Sequence, residues 1–193
     1  MGSASTIIPD DGNGIIITGD ERTRDAVFGD MLAQSASVSE PHFGSDAANN
    51  NASNADNRSH AIISGMLFGI DLRGGAIREM MNGRYETAPT LQAANGLVIR
   101  LMGTMMARYN ALENANADDI HLVEPSIRDV TIMVDDVKPM ASDEDAFRGV
   151  MCMRRIGEAV GFHVILGCSD AEWMAYVMKH KALPPAPSQS ITV

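Results

Sequence analysis

Four short apolar runs each end on residues whose side chains or backbone could do chemistry. The runs end at Gly19, at Asp71, at the acid pair Asp135 and Asp136, and at Ser169. In parallel α/β sheets, ligands bind beyond the carboxyl ends of the strands. A glycine between a strand and a helix is also a common phosphate site, because the helix N-terminus presents free N–H groups. The pattern therefore predicts that these residues share one rim of a sheet.

The segment GIIITGDERTRDAVFGDMLAQ, residues 14–34, leaves two interpretations open. An apolar strand, Gly19 and a helical pattern give the outline of a phosphate-binding loop. The acids Asp20, Glu21 and Asp25 are instead typical of a first helical turn, where they offset the positive end of the helix dipole. The residues favour a capped helix over a nucleotide site.

The elements that must position these residues alternate between strands and helices. Apolar runs predict strands at 15–18, 62–70, 129–137 and 163–166, and apolar periodicity predicts helices at 90–112, at about 143–160 and at 170–180. On the helix 90–112, Met102 and Met106 are expected to widen the buried face. Unbroken apolar strands that alternate with helices are typical of a mostly parallel sheet with helices on both faces.

The composition fits one globular domain with a strong negative charge. The 193 residues carry a formal net charge of −10 and are 45% hydrophobic, which suffices for one sizeable core. This charge repels nucleic acid and anionic membranes at long range. No apolar run approaches the roughly 18 residues of a spanning helix, and no leader-like segment opens the chain. We therefore expect a cytoplasmic protein. Its two cysteines and five scattered histidines match no metal-binding pattern.

Residues 1–183 are expected to form a single domain. The stretch 44–60 is polar, rich in asparagine and without apolar periodicity, so it predicts a disordered insert. The last ten residues, 184–193, are rich in proline and predict a disordered tail.

Several segments occur in an order that resembles one family of motor proteins. They are the strand–loop–helix near the N-terminus, GIDLRGG at 69–75, MMARY at 105–109, DVTIMVDDV at 129–137 and GEAVGFH at 157–163. Together they resemble the RecA-type core of FtsK/SpoIIIE-type DNA translocases, including actinobacterial TraB-like plasmid-transfer proteins and the type VII secretion ATPases. The resemblance extends over roughly residues 12–170, nearly the whole chain.

The resemblance implies a three-layer α/β RecA-like P-loop NTPase fold, ATP with Mg²⁺ as cofactor, DNA as a partner, and a homo- or hetero-oligomer of FtsK-like subunits. It places Asp135 and Asp136 at the Walker B position as catalytic residues, and Ser169 at the sensor position. It places the phosphate-binding motif G-x-x-x-x-G-K-[ST] on Gly19, Asp20, Glu21, Arg22, Thr23, Arg24, Asp25 and Ala26.

The sequence departs from the family at the residues that bind phosphate. Arg24 stands where the motif has its second glycine, Asp25 where it has the lysine, and Ala26 where it has the hydroxyl. The arginine of the later turn is Glu158. A phosphate cradle needs the small residue, the positive charge and the hydroxyl for Mg²⁺. ATP binding is therefore expected to be weak or lost, and the acidic charge disfavours DNA.

Three functions remain open at this point. The first is a degenerate FtsK-like domain, a pseudo-ATPase that acts as a binding or regulatory subunit in DNA transfer or secretion. The second is an active ATP-dependent DNA translocase whose altered loop still binds nucleotide. The third is an unrelated α/β domain that binds a small molecule. ATP affinity with and without Mg²⁺ separates the first two.

Overall fold

The structure is a computed structural model that describes residues 6–9, 14–37, 65–81, 83 and 85–180. The predicted insert at 44–60 and the predicted tail at 184–193 lie outside the described residues. Within the described ranges, no helix combines the length and the apolar character needed to cross a bilayer.

The described strands form one sheet of six. They are β1 (Thr6–Pro9), β2 (Gly14–Thr18), β3 (Met66–Ile70), β4 (Glu86–Ala88), β5 (Val130–Val134) and β6 (Phe162–Cys168), in the order β1-β2-β6-β5-β3-β4. The edge strand β1 is antiparallel to β2, and every other neighbouring pair is parallel. The mostly parallel sheet expected from the apolar runs is therefore confirmed.

Helices cover both faces of the sheet. They are α1 (Glu21–Ser37), α2 (Ala76–Met81), α3 (Leu91–Ala115), α4 (Ile120–Val123), α5 (Glu144–Ile156) and α6 (Ala171–His180). Successive strand residues point to opposite faces, so Ile17, Met133 and Ile165 pack with α1 and α2. Their neighbours Ile16, Ile132 and Leu166 pack with α3, α5 and α6. This gives the predicted three layers and explains why the strands are apolar throughout.

The helix predicted at about 143–160 ends earlier, at Ile156. Gly157 makes the turn, and its carbonyl accepts a hydrogen bond from Phe162 N at 2.9 Å, which starts β6. A side chain at Gly157 would place its Cβ 2.6 Å from the Cβ of Phe162. The residues 158–160 form a separate 3₁₀ turn. The chain must turn here to bring β6 back under α5.

The long helix α3 begins and is buried much as the periodicity predicts. Thr90 caps its N-terminus by accepting a hydrogen bond from Ala93 N at 3.2 Å. The periodicity predicts one face made of Leu91, Ala94, Val98, Leu101, Met105, Tyr109 and Leu112. All of these are buried except Leu91 and Tyr109, which are half-buried, and the buried face also includes Leu97 and Arg108, which the periodicity does not predict. Met106 is 51% exposed, so the expectation that it widens the buried face is wrong.

Candidate functional site at the carboxyl rim of the sheet

The parallel register brings the predicted site residues to one rim. Thr18 pairs with Cys168, Leu166 with Val134, and Val134 with Ile70. The residues that follow these strands, Gly19, Asp71, Asp135, Asp136 and Ser169, therefore lie at the same carboxyl edge. The prediction that the two acids face the same rim as the 19–26 segment is confirmed.

Very little loop separates β2 from α1. The strand ends at Thr18 and the helix begins at Glu21, so only Gly19 and Asp20 connect them. Asp20 caps the helix, because its Oδ1 accepts a hydrogen bond from Thr23 N at 2.8 Å. Hydrogen bonds from the Thr23 side chain and from the Thr23 backbone N–H hold the pKa of Asp20 below its usual value. The segment aligned with the phosphate motif is thus the start of a capped helix, the interpretation that the acids favoured.

Arg24 runs inward from α1 and crosses the rim. Its Nη1 donates to the Gly19 carbonyl at 2.7 Å, and its Nε donates to the Asp135 carbonyl at 3.1 Å. Its Nη2 lies 3.7 Å from Oδ1 of Asp135. The side chain is 0% exposed. Arg24 therefore stands at the position where the phosphate motif has a glycine, and its guanidinium is buried inside the rim. The sequence did not indicate that this side chain would lie at the centre of the site.

Asp135 is a buried carboxyl whose charge is only partly balanced. Burial raises its pKa to about 6, Arg24 and Arg73 oppose that rise, and Asp71 and Asp136 add to it. Its Oδ1 has no hydrogen-bond partner among the described residues. Because 3.7 Å to Arg24 is too long for a hydrogen bond, the two groups form a charge contact alone.

Asp136 is 1% exposed, and both of its carboxylate oxygens accept hydrogen bonds. Its Oδ2 accepts from Arg73, which comes from the turn after β3. Its Oδ1 accepts from Lys138 N at 3.1 Å and from Ser169 N at 3.3 Å. The predicted sensor residue thus touches the predicted catalytic acid through its backbone N–H. No pattern in the sequence indicated that Arg73 would pair with Asp136.

Asp71 shapes the turn that carries Arg73. Its Oδ1 accepts from Gly74 N at 2.8 Å, and its Oδ2 accepts from Gly75 N at 2.9 Å and from Arg78 N at 3.2 Å. Gly74 has a φ of +88°, a conformation that favours glycine. The aspartate and the glycines of the GIDLRGG segment therefore form a turn that caps α2.

Asp25 and Lys138 complete the rim. Burial raises the pKa of Asp25, and Glu21 and Asp71 raise it further while Arg24 opposes them. Lys138 Nζ contacts Asp170 Oδ2 at 2.6 Å, and Asp170 Oδ1 caps α6 by accepting from Trp173 N at 2.9 Å.

The rim residues differ in type and arrangement from a phosphate cradle for ATP with Mg²⁺. A phosphate cradle needs backbone donors exposed around a small-residue loop and a lysine beside it. Here the connection is two residues long, Arg24 fills its interior, and Asp25 brings a negative charge. The acids Asp135 and Asp136 contact Arg24 and Arg73.

A second polar cluster lies at the opposite, amino end of the strands. Arg108 donates from Nη1 to the Val160 carbonyl at 2.7 Å and from Nη2 to the Arg128 carbonyl at 2.8 Å. Asp129 contacts His121 Nε2 at 2.9 Å and His163 Nε2 at 3.4 Å. Burial acts to raise the pKa of Asp129, but the hydrogen bonds and charges of the two histidines hold it below its usual value. The MMARY arginine therefore fastens α3 to the sheet, away from the rim.

Comparison of sequences alone gives little guidance. No family model matches the chain. A LexA repressor of Albidiferax ferrireducens is 27% identical over 167 residues, which is 77% of this chain and 70% of the repressor. That level of identity does not establish a family.

Comparison of structures is more informative. The pCW3 conjugation coupling protein TcpA, in monomer form with ATPγS, superimposes over 89% of this chain with a TM-score of 0.55 and 11% identity. The cytoplasmic domain of the type VII secretion ATPase EccC of Thermomonospora curvata superimposes over 89% with a TM-score of 0.56 and 17% identity. A second EccC structure, of ATPases 2 and 3 in complex with a signal sequence peptide, superimposes over 91% of this chain with a TM-score of 0.53 and 15% identity. The chain has the fold of the FtsK/SpoIIIE-type ATPase domains.

The RecA-like P-loop fold predicted from the sequence is therefore confirmed. The chain spans 49% of TcpA and 30% and 19% of the two EccC structures. It therefore corresponds to a part of each of those proteins. Sequence identities of 11 to 17% establish a shared fold and do not establish a shared activity.

Proposed function

We propose that this chain is an FtsK-like ATPase domain without ATP hydrolysis, which serves as a binding or regulatory subunit in DNA transfer or secretion. The fold supports the first half of this proposal. The partner is a second copy of the chain or an active FtsK-like subunit, since the neighbouring structures include a chain that holds more than one ATPase.

The buried Arg24 is the observation that supports the loss of ATP chemistry. Its guanidinium lies between the Gly19 carbonyl and Asp135, where an incoming phosphate would need the backbone donors. Asp25 adds a negative charge nearby. Two unit charges about 4 Å apart interact by roughly 4 kcal/mol at an effective dielectric constant near 20. Replacing attraction by repulsion therefore weakens phosphate binding by several orders of magnitude.

Isothermal titration calorimetry with ATP, with and without Mg²⁺, tests this proposal directly. We expect the unaltered protein to bind ATP with a dissociation constant in the millimolar range or weaker, and to hydrolyse none above a buffer blank. The triple variant Arg24→Gly, Asp25→Lys, Ala26→Ser restores the missing residue types. It also loses the Arg24 contacts, so its folding is checked by circular dichroism, and the folded variant is expected to bind more tightly, by about tenfold or more. Asp118→Asn, in the exposed turn after α3, makes the same +1 change in net charge and serves as its control. Micromolar, Mg²⁺-dependent binding by the unaltered protein would contradict the proposal and support an active translocase.

The similarity to a LexA repressor favours a second candidate, a DNA-binding regulator. Against it stands the net charge of −10, which opposes the phosphate contacts that dominate DNA affinity. Binding to duplex DNA separates the two candidates.

A further inference from the structure

The burial of Arg24 has to be balanced by what the side chain contacts. Removing a guanidinium from water costs several kcal/mol of solvation free energy, and hydrogen bonds and an opposite charge in the protein must offset that cost. Arg24 gains two carbonyl acceptors, Gly19 O and Asp135 O, and the Asp135 carboxyl. These partners belong to the ends of two different strands, β2 and β5, and β6 lies between those strands in the sheet.

The end of β6 is built to let this contact form. A Cβ on Gly167 would lie 1.9 Å from the Asp135 carbonyl oxygen, so only a glycine lets that carbonyl cross over β6. Val137 N also donates to the Gly167 carbonyl at 2.9 Å, which holds the segment after β5 in place. Arg24 Nε donates to the same Asp135 oxygen at 3.1 Å. The arginine therefore joins α1 to the segment after β5 across the middle of the rim.

We propose that the Arg24 side chain is a built-in strap, which occupies the interior of the rim and holds the start of α1 to the end of β5 without nucleotide. The proposal rests on the proposed function in one respect, namely that ATP does not supply this link. The strap keeps the rim in one conformation whether ATP is present or absent.

Chemical rescue of a shortened side chain tests the strap. Arg24→Ala leaves a void shaped for a guanidinium beside a buried carboxyl, and we expect its melting temperature to fall by about 5 to 15 °C. Ethylguanidinium at low millimolar concentration is expected to recover at least a third of that loss, roughly the share that the charge and hydrogen bonds contribute. Ethylammonium lacks the planar fork and is expected to recover little. Arg22→Ala is the matched control, because Arg22 is an exposed arginine two residues before Arg24 in α1, and this variant is expected to melt close to the wild type.

Amide hydrogen exchange gives an independent measurement of the same link. In the wild type, exchange at residues 19–25 and 135–138 is expected to stay unchanged when ATP and Mg²⁺ are added. In Arg24→Ala it is expected to rise at both segments, because the side chain ties them together. Equal exchange at 135–138 in the variant and the wild type, or equal rescue by ethylguanidinium and ethylammonium, overturns the strap.

A charge-neutral pair keeps the test decisive if Arg24→Ala does not fold. Arg24→Met combined with Asp135→Asn removes both charges and keeps the volumes similar, so it is expected to fold. Exchange at 135–138 is still expected to exceed that of the wild type, because the two carbonyl bonds are gone; unchanged exchange overturns the strap.

The outcomes also separate the two proposals. Tight ATP binding with intact ethylguanidinium rescue rejects only the proposed function, whereas no ATP binding with Arg24→Ala behaving like Arg22→Ala rejects only the strap.

Discussion

At the scale of single residues, the carboxyl of Asp135 gives a prediction about pH. Burial raises its pKa from 3.8 to about 6 in the folded protein. The folded state therefore holds the proton more tightly than the unfolded state does. The resulting stability is fully present below pH 3.8 and is lost as the pH rises through 6. As the pH rises from below 3.8 to neutral, the wild type is expected to lose on the order of 3 kcal/mol of unfolding free energy relative to Asp135→Asn.

Urea denaturation of both proteins at a series of pH values from acid to neutral measures this difference. Asp118→Asn, a substitution in an exposed turn, shows how much of any change comes from removing one carboxylate in general. A gap between wild type and Asp135→Asn that stays constant with pH would contradict the prediction, because it would mean that Arg24 offsets burial and that the pKa of Asp135 is the same in the folded and unfolded states.

The residues of the rim also show what the sequence could and could not predict. The strand ends at Gly19, Asp71 and Asp135 were visible because an apolar run that stops at a polar residue marks a strand end. The contacts of Arg24 were not visible, since a helical arginine near a terminus is usually solvated. Its burial depends on β5 lying two strands away from β2, and that order is a property of the sheet.

At the scale of helices and strands, the packing of α3 against α5 depends on a glycine. A Cβ on Gly149 would lie 2.3 Å from Cγ1 of Val98, a buried and stiff β-branched side chain. Gly149→Ala is therefore expected to destabilise the protein by about 1 to 3 kcal/mol, even though alanine favours the helix. A Cβ on Gly103 of α3 would have nothing within 4 Å, so Gly103→Ala is expected to stabilise by about 0.5 to 1 kcal/mol.

Thermal or urea unfolding of the two variants checks these opposite signs. Both changes add one methyl group to a helical glycine, so they differ only in the space around it. A stabilising Gly149→Ala would mean that α3 and α5 move apart at little cost. Such a result would point to a helix layer that is looser than its buried side chains indicate.

The elements were more predictable than their ends. Apolar periodicity located α3 and α5 because each helix buries one face over several turns. The periodicity predicts that α5 continues to about 160, whereas the helix ends at Ile156. Its end depends on the close approach of Gly157 to Phe162 at the start of β6, and apolar periodicity does not report such a contact. It missed Arg108 on the buried face of α3 for a related reason: the two carbonyls that Arg108 binds come from the segments before β5 and β6.

At the scale of the whole molecule, fold and charge point in different directions. The fold is shared with ATPases of conjugation and secretion, whereas the charge of −10 disfavours the DNA that a translocase moves. The binding or regulatory role that we propose reconciles the two, because it requires the fold and no direct contact with DNA. Within the described residues, the arginines at the rim are engaged internally where Arg24 meets Asp135 and Arg73 meets Asp136.

Duplex DNA is therefore expected to bind poorly to this protein alone. A negative chain must overcome repulsion from one phosphate charge per about 1.7 Å of duplex, and it releases few counterions in return. Fluorescence anisotropy with a labelled duplex at physiological salt is expected to show no saturation below roughly 100 μM protein, the weak end of non-specific binding. Lowering the salt is expected to change the signal little, since few phosphate contacts form. Tight binding to one sequence, with competitor DNA present, would instead support the repressor candidate, and tight binding without sequence preference would support an active translocase.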